Sequence, residues 1–397
     1  MKKKAADIVL VGFLLLFIFG FGLWTWLKDD QHVSALENRD LKMRPDATVQ
    51  RLLSGDYFKQ FEAYFNDQFP GRQAFIEANA SVDKYIMQKD EIRDVYSLKN
   101  GYLINPVHPK DKTKEVNDKV NSFAHTLKKK NIDVYFALPP NKSTIMEKKL
   151  PDYIEAHGNE LSDKLMAGFS KDVHAMDLRP TIQPHLQEDN MYFHTDHHWK
   201  PRAAHYAYEK VIDEMSKQHP GVGKPIPKSQ FTWKEAPETF YGSDARKTTK
   251  SYASKSDTIT IAKPKFKEKP ISICYRKTCG HKFYDMSKLK SEGTYANRYE
   301  TYFSGDVSEA VIKNPNKPKG PKVLILKDSY VNPMIQFVSR NFSETRIIDM
   351  RHYKQKSVYE YIDQHDIDAV LFVHNINSIN ITPAFIDFKH PGGGENQ

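Results

Sequence analysis

The hydrophobic positions divide the chain into an uninterrupted apolar block near the N-terminus, a middle stretch with helical spacing, and a last third built from short apolar runs. Ile8 to Leu27 carries no charge and is rich in Leu, Phe, Ile and Val, and twenty residues at about 1.5 Å each reach roughly 30 Å, the thickness of a bilayer's hydrocarbon core. Between Tyr57 and Met87, Phe58, Phe61, Phe65, Phe69, Phe75 and Ile76 recur at helical intervals broken by Pro70-Gly71, which predicts two helices around a turn. Leu98 to Ile104 and Val134 to Leu138 read as strands with a lysine-rich amphipathic helix between them. Pro201, with Ala203, Ala204, Tyr208, Val211, Ile212 and Met215 behind it, predicts a helix with proline at its first position. Val323–Leu326, Arg346–Asp349 and Ala369–Val373 read as three strands, with helical segments around 332–341 and 355–364.

Strand, helix, strand repeated in this way implies an α/β fold with a parallel sheet and right-handed crossovers. The expected organisation is a cytoplasmic tip and anchor over 1–27, a polar stalk and helical segment over 28–90, and one α/β domain over 91–390. Residues 216–270, rich in Lys, Pro, Ser and Thr with little periodicity, are expected to be an excursion of loops and short strands. The tail 391–397, with Gly392, Gly393 and Gly394, is expected to be disordered.

Charge orients the first segment. Lys2, Lys3 and Lys4 precede the apolar block, and Trp24 and Trp26 stand at its far end, so the N-terminus is expected in the cytoplasm and everything after Leu27 outside it. A cleaved signal peptide with Val33-Ser34-Ala35 as its site is the alternative, but the apolar run exceeds a usual signal core and the site lies well beyond it. The net charge of +9 favours anionic glycans or lipid head groups as partners. Nucleic acid is not expected, since the basic residues form no helical stripe and no recognition module accompanies them. Cys274 and Cys279, the two cysteines, are close enough for a local disulfide in an oxidising compartment.

In a parallel α/β sheet reactive groups gather at the carboxyl ends of strands. Ser329 follows such a strand and precedes Tyr330-Val331-Asn332-Pro333, where a helix should begin. Its hydroxyl can be exposed there, with its own N–H available to a developing oxyanion; a plain helix cap at Asp328-Ser329 is the competing reading. A serine nucleophile needs a base, and His194-Thr195-Asp196-His197-His198-Trp199 sets histidines beside a carboxylate. An Asp two residues before a His can accept from Nδ1–H and leave Nε2 to take the serine proton, which points to Asp196 with His198. A metal site built from His194, Asp196, His197, His198 and His205 is the rival use of the same cluster.

The Asp-His-His-Trp string at 196–199 resembles the signature of the bacterial DHHW protein family, which is similar to the alginate O-acetyltransferase group of SGNH-like proteins. Phe69-Pro70-Gly71-Arg72, Pro139-Pro140-Asn141-Lys142, Leu150-Pro151 and Asp328-Ser329-Tyr330 extend the likeness over most of the chain beyond Leu27. The resemblance implies an SGNH-hydrolase-like parallel sheet flanked by helices, with its motifs in circularly permuted order, because the Asp-His loop precedes the serine strand. It further implies a triad of Ser329, His198 and Asp196, with Asn375, Arg351 and Tyr330 as candidate oxyanion or substrate contacts and no metal or organic cofactor. Lys327 stands where many relatives have Gly, and the Gly of the second motif is missing. Lys142 reads as a structural position or a glycan contact, since an exposed ammonium would need burial to act as a base.

The implied activity is transfer of an acyl group, an acetyl group above all, through an acyl-serine to a cell-wall or exopolysaccharide glycan, with a multi-pass membrane acyltransferase supplying the group. A carbohydrate acetylesterase with the same triad, a metal-dependent hydrolase and a non-catalytic glycan-binding protein are the alternatives.

Overall fold

The structure, a computed structural model, describes residues 2–188 and 191–392, with nothing stated of the side chains of residues 2–4. Two compact units emerge, Met1–Arg93 with Ala245–Tyr252, and Asp94–Asp244 with Ala253–Gln397.

In the first unit, helix α1 (Lys2–Leu27) contains an apolar stretch, Ala5–Leu27, long enough and apolar enough to cross a membrane. Its apolar side chains are exposed almost throughout. Helices α2 (Asp56–Gln68) and α3 (Arg72–Tyr85) follow, joined through Phe69-Pro70-Gly71. Gly71 takes a φ of 74°, a left-handed conformation that glycine adopts without strain.

The second unit is built on a mixed, mostly parallel sheet. Its strands are β1 (Asp133–Leu138), β2 (Val173–Asp177), β5 (Ser272–Tyr275), β6 (Thr278–Cys279), β7 (Glu309–Lys313), β8 (Lys322–Lys327), β9 (Glu344–Ile348) and β10 (Ala369–Val373), while β3 (Phe231–Phe240) and β4 (Asp257–Pro264) form a separate antiparallel pair. The spatial order is β6-β5-β7-β9-β8-β10-β1-β2, in which β9-β8-β10-β1-β2 run parallel and β7, β5 and β6 extend one edge antiparallel. Counted from β8, the parallel strands read 2-1-3-4-5, a doubly wound order whose first two strands in sequence have been moved to its end; this is the circular permutation that the motif order implies.

Both faces of the sheet are covered. Val323 and Ile325 of β8 join the core beneath helix α6 (Pro201–Gln218), whereas Leu324 and Leu326 join the core beneath α4 (Thr113–Lys128), α5 (Gly158–Ala167), α7 (Val358–His365) and α8 (Ile376–Ile381). Burial on both faces is why these strands read as continuous apolar runs rather than as alternation.

Several local expectations change. Leu98–Ile104 is not one strand: Val95–Ser97 and Leu103–Ile104 pair as a small hairpin around Gly101, whose φ is 90°. The helix expected at 332–341 shrinks to Ile335–Val338, with tighter i→i−3 bonds on either side of it, Met334 N–H to the Val331 carbonyl and Asn341 N–H to the Val338 carbonyl. The region 216–270 is more regular than expected, with strands of ten and eight residues in β3 and β4. Cys274 and Cys279 are joined by a disulfide across the β5–β6 hairpin. In the expected disordered tail, Pro391 and Gly392 are buried in a turn, and residues 393–397 lie outside the described residues.

Two histidines are buried as neutral rings. Burial pushes His205 down to about 4 and His374 down to about 3 from 6.5, so the unfolded chain binds protons that the folded chain refuses as pH falls below 6.5. Their contribution is intact above that value and is lost toward the folded-state values, at up to about 1.4 kcal/mol per pH unit for each ring. Neither ring nitrogen of His374 has a partner among the described residues, so His374→Met is expected to keep the fold and reduce the drop in urea midpoint between pH 7 and pH 4.5.

Candidate active site

The Asp-His loop is a tight reversal. Phe193 N–H donates to the His198 carbonyl and Lys200 N–H to the Met191 carbonyl, so Tyr192 and Trp199 face each other and residues 194–197 form the tip. Trp199 is fully buried and its Nε1–H donates to the Tyr330 carbonyl at 2.7 Å, while the Tyr330 hydroxyl donates to the His197 carbonyl at 2.7 Å. The loop is thereby tied to the turn that carries Ser329, across 131 residues of sequence.

Within the loop, Asp196 Oδ1 accepts from the His198 backbone N–H at 3.0 Å and lies 2.5 Å from His198 Nδ1. On the other side of the ring, Nε2 lies 2.7 Å from Ser329 Oγ. Asp196 and His198 are buried, and Ser329 is partly exposed. Burial alone would raise the Asp196 carboxyl, but the His198 and His197 rings and the Ser243 N–H hold it well below the usual carboxylate range. The site therefore fixes a permanent negative charge against Nδ1, the arrangement that leaves Nε2 as proton acceptor toward the serine.

Ser329 sits at the carboxyl end of β8, beside β10, where the strand order reverses; ligands bind open α/β sheets at such points. Asp328 caps the short turn Ser329–Val331 by accepting from Tyr330 N–H at 2.9 Å, and its other oxygen accepts from Asn375 N–H at 2.8 Å and Asn375 Nδ2 at 2.7 Å. The cap reading and the nucleophile reading thus fall on adjacent residues: Asp328 fixes the turn and Ser329 faces His198.

Lys142, read from the sequence as a structural position or a glycan contact, holds this geometry together with several residues that sequence reasoning passed over. Lys142, expected to be exposed, is 3% accessible and donates to the carbonyls of Asp196 at 2.6 Å and Phe193 at 3.1 Å while pairing with Asp244 at 3.0 Å. Asp257, at the start of β4, accepts from His194 N–H, Thr195 N–H and the Thr195 hydroxyl at 2.6–2.8 Å. Ser243 N–H donates to Asp196 Oδ2 at 2.7 Å. At Gly242 a Cβ would stand 2.2 Å from that of Asp196, so the backbone approaches the carboxylate more closely than any side chain permits. Tyr299 stacks on His198 at 3.8 Å between ring centroids and donates its hydroxyl to the Ser329 carbonyl at 2.7 Å. The β3–β4 excursion is therefore the wall behind the loop, and the alternation Phe231, Trp233 against Ile259, Ile261 was its one sequence signal.

Three candidate contacts are placed differently from expectation. Tyr330 is fully buried with its hydroxyl on the His197 carbonyl, so it braces the loop instead of meeting substrate. Asn375 directs its amide to Asp328 and to Ser378 Oγ at 2.6 Å, which commits the hydrogens an oxyanion would need. Arg351 is held by Asp349 at 2.5 Å and Asp306 at 2.9 Å, and no hydrogen bond joins it to Ser329 among the described residues. Lys327, fully buried, completes a balanced cluster with Asp306 at 3.2 Å and Asp349 at 3.6 Å, and donates to Asn332 Oδ1 at 2.8 Å. Its ammonium occupies space beside the serine turn that the resemblance leaves to glycine.

The five-residue metal set is not assembled. Asp196, His197 and His198 lie together, but His194 pairs with Asp257 and stacks on Tyr102, and His205 Nε2 meets the Ile226 carbonyl. Both ring nitrogens of His198 already face Ser329 and Asp196.

Fold and site together define an SGNH-type α/β domain with serine, histidine and aspartate in register. Residues 101–258, which include Asp196 and His198 but end before Ser329, match the family model of the SGNH hydrolase-like domain of acetyltransferase AlgX. PatB1 of Bacillus cereus, solved with a sulfonyl adduct, superposes with a TM-score of 0.62 at 24% identity over 74% of this chain and 99% of its own. A DHHW family protein from Eubacterium siraeum superposes at 0.60, with 20% identity over 74% and 93%. No curated protein sequence matches. The family-model match supports an acyltransferase or esterase kind of chemistry, and the superpositions establish the shared fold.

Two substitutions test the supporting shell. Lys142→Met withdraws a buried cation from Asp244 and is expected to cost about 3–5 kcal/mol in denaturant unfolding. Gly242→Ala forces Asp196 or the hairpin to move, and should abolish the far-downfield proton resonance expected of the His198 Nδ1–H, with little change in far-UV circular dichroism.

Proposed function

We propose that this chain is a serine-dependent O-acyltransferase, acting outside the cytoplasm from a single membrane anchor, that moves an acetyl group onto a cell-wall or exopolysaccharide glycan. The observation that carries the reading is the 2.7 Å approach of Ser329 Oγ to His198 Nε2, with Asp196 on the opposite nitrogen.

In the first half-reaction, His198 Nε2 takes the hydroxyl proton as Ser329 Oγ adds to the acyl carbonyl carbon. The tetrahedral oxyanion is met by the Ser329 N–H at the opening of its turn. Collapse expels the donor's oxygen or sulfur, which receives the proton from the imidazolium and leaves an acyl-serine. In the second half, a sugar hydroxyl gives its proton to His198 and attacks the acyl-serine; collapse breaks the bond from the acyl carbon to Ser329 Oγ, which takes that proton from the imidazolium as the acylated sugar is released. The Asp196 charge stabilises the imidazolium in both halves without being protonated. These steps use only groups of this chain and require no metal or organic cofactor. A separate multi-pass acyltransferase delivering the acetyl group fits a domain held at the membrane by α1, whose apolar stretch is long enough to span it.

Water in place of the sugar would make the same site an esterase. With 4-nitrophenyl acetate as donor, Ser329→Ala and Asp196→Asn are each expected to lower kcat/KM by about 10³–10⁴-fold. The acid limb of the pH profile should follow a single ionisation, because Asp196 remains charged far below neutrality. Acetate release that no glycan acceptor diverts into acetylated sugar would replace transfer by hydrolysis, and full activity in Ser329→Ala would remove the serine mechanism.

A further inference from the structure

The first unit holds an apolar surface that the acyl-transfer reading does not use. Phe21 of α1 stacks on Phe69 with ring centroids 4.9 Å apart and lies 6.4 Å from Phe75, and Phe69 and Phe75 are 5.8 Å from each other. The exit of α1 is clamped beside this cluster. Arg44 Nη2 donates to the Trp26 carbonyl at 2.9 Å with its guanidinium 4.5 Å over the Trp26 ring, and the Tyr64 hydroxyl donates to Asp30 at 2.8 Å.

These contacts fix a depth. Phe21 precedes Leu27, the last residue of α1, by six residues, about 9 Å along a helix, and it lies roughly one turn below Trp24, where aromatic anchors mark the membrane interface. A ring stacked on Phe21 therefore shares its level, beneath the tryptophans. The turn can tolerate that level. Residues 69–76 read Phe-Pro-Gly-Arg-Gln-Ala-Phe-Ile, and their one charged side chain, Arg72, is forked onto Glu37, with Nη2 to Oε1 at 3.0 Å. Phe75 is 52% exposed although it belongs to the aromatic cluster, as a side chain facing lipid would be. Beside the turn a cleft of about 500 Å³ is lined in large part by apolar side chains, Phe65, Phe69, Phe75 and Ile76 among them, with Asn66 and Asn79 and the exposed Arg93 and Lys247 also on its lining. A mostly apolar lining that also carries two exposed cations suits a phospholipid, acyl chains against the rings and phosphate against Arg93 and Lys247.

We infer that the α2–α3 turn is seated in the bilayer leaflet from which α1 emerges, with Phe69 and Phe75 among the acyl chains and Arg93 and Lys247 at the phosphates. This rests on α1 spanning the bilayer and is independent of the chemistry at Ser329. The anchor is then a span plus a wedge. The wedge fixes the rotation of the first unit about the membrane normal, which a lone helix would leave free.

The test uses the full chain in nanodiscs of phosphatidylcholine and phosphatidylglycerol. Both native cysteines are disulfide-bonded, so single nitroxide labels are introduced through Leu16→Cys, Gln73→Cys, Phe75→Cys and Lys114→Cys, all at exposed positions. Collision with oxygen is compared with collision with a water-soluble nickel chelate. The labels at 16, 73 and 75 are expected to shift toward oxygen, and the label at 114 toward nickel. Labels at 73 and 75 that match 114 while 16 stays lipid-like would overturn the wedge alone, and a nickel-accessible label at 16 would overturn the span and the wedge together. The two turn positions serve as mutual controls, since Gln73 lies outside the aromatic cluster.

Discussion

One imidazole joins two distant parts of this chain. His198 is held by Asp196 at 2.5 Å on one nitrogen and reaches Ser329 at 2.7 Å on the other, and neither contact survives a displacement of one ångström in either loop. Much of the second unit's architecture can be read as the means of holding that tolerance. The parallel sheet fixes the end of β8, Asp328 ties the serine turn to the end of β10, and the Trp199 and Tyr330 hydrogen bonds lock the histidine loop to that same turn.

The circular permutation makes this dependence sharper. In a doubly wound sheet all loops at the carboxyl edge are neighbours whatever their order in sequence, so cutting the chain between the third and fourth strands counted from β8, that is between β10 and β1, moves the Asp-His loop ahead of the serine strand without disturbing the site. The cost is sequence separation. The loop must be positioned by parts far from Ser329, and it is Lys142, Asp257 and the backbone at Gly242–Ser243 that do so. Lys142 shows the energetic logic: a buried ammonium is tolerable only where carbonyls and a carboxylate surround it, and the Asp-His loop supplies the carbonyls of Phe193, His194 and Asp196.

The legible part of the molecule was what periodicity and local chemistry record. The apolar block, the helix pair around Pro70-Gly71, the helix opened by Pro201 and the buried strands at 323–326 and 369–373 follow from spacing alone. The pairing of Asp196 with His198 was legible because it is local, two residues apart in one loop. Roles decided by tertiary contact were not. Tyr330 and Asn375 carry groups suited to an oxyanion, yet their partners come from residues 197, 328 and 378 and absorb those groups. Lys142 was readable as a structural position, but its burial was not, because nothing in Pro139-Pro140-Asn141-Lys142 announces the carbonyls of residues 193 and 196. Lys327 looked like a departure from pattern, and its explanation, two carboxylates at 306 and 349, lies in neighbouring elements.

The central claim is that Ser329 becomes acylated through His198. The most direct measurement is peptide-level mass spectrometry of the full chain, acid-quenched after mixing with an acetyl ester. The account predicts one acetyl group on the peptide containing Ser329, absent after His198→Ala and cleared from the wild type by a glycan acceptor. Turnover with no adduct on that peptide, or an adduct that forms equally well without His198, would contradict it.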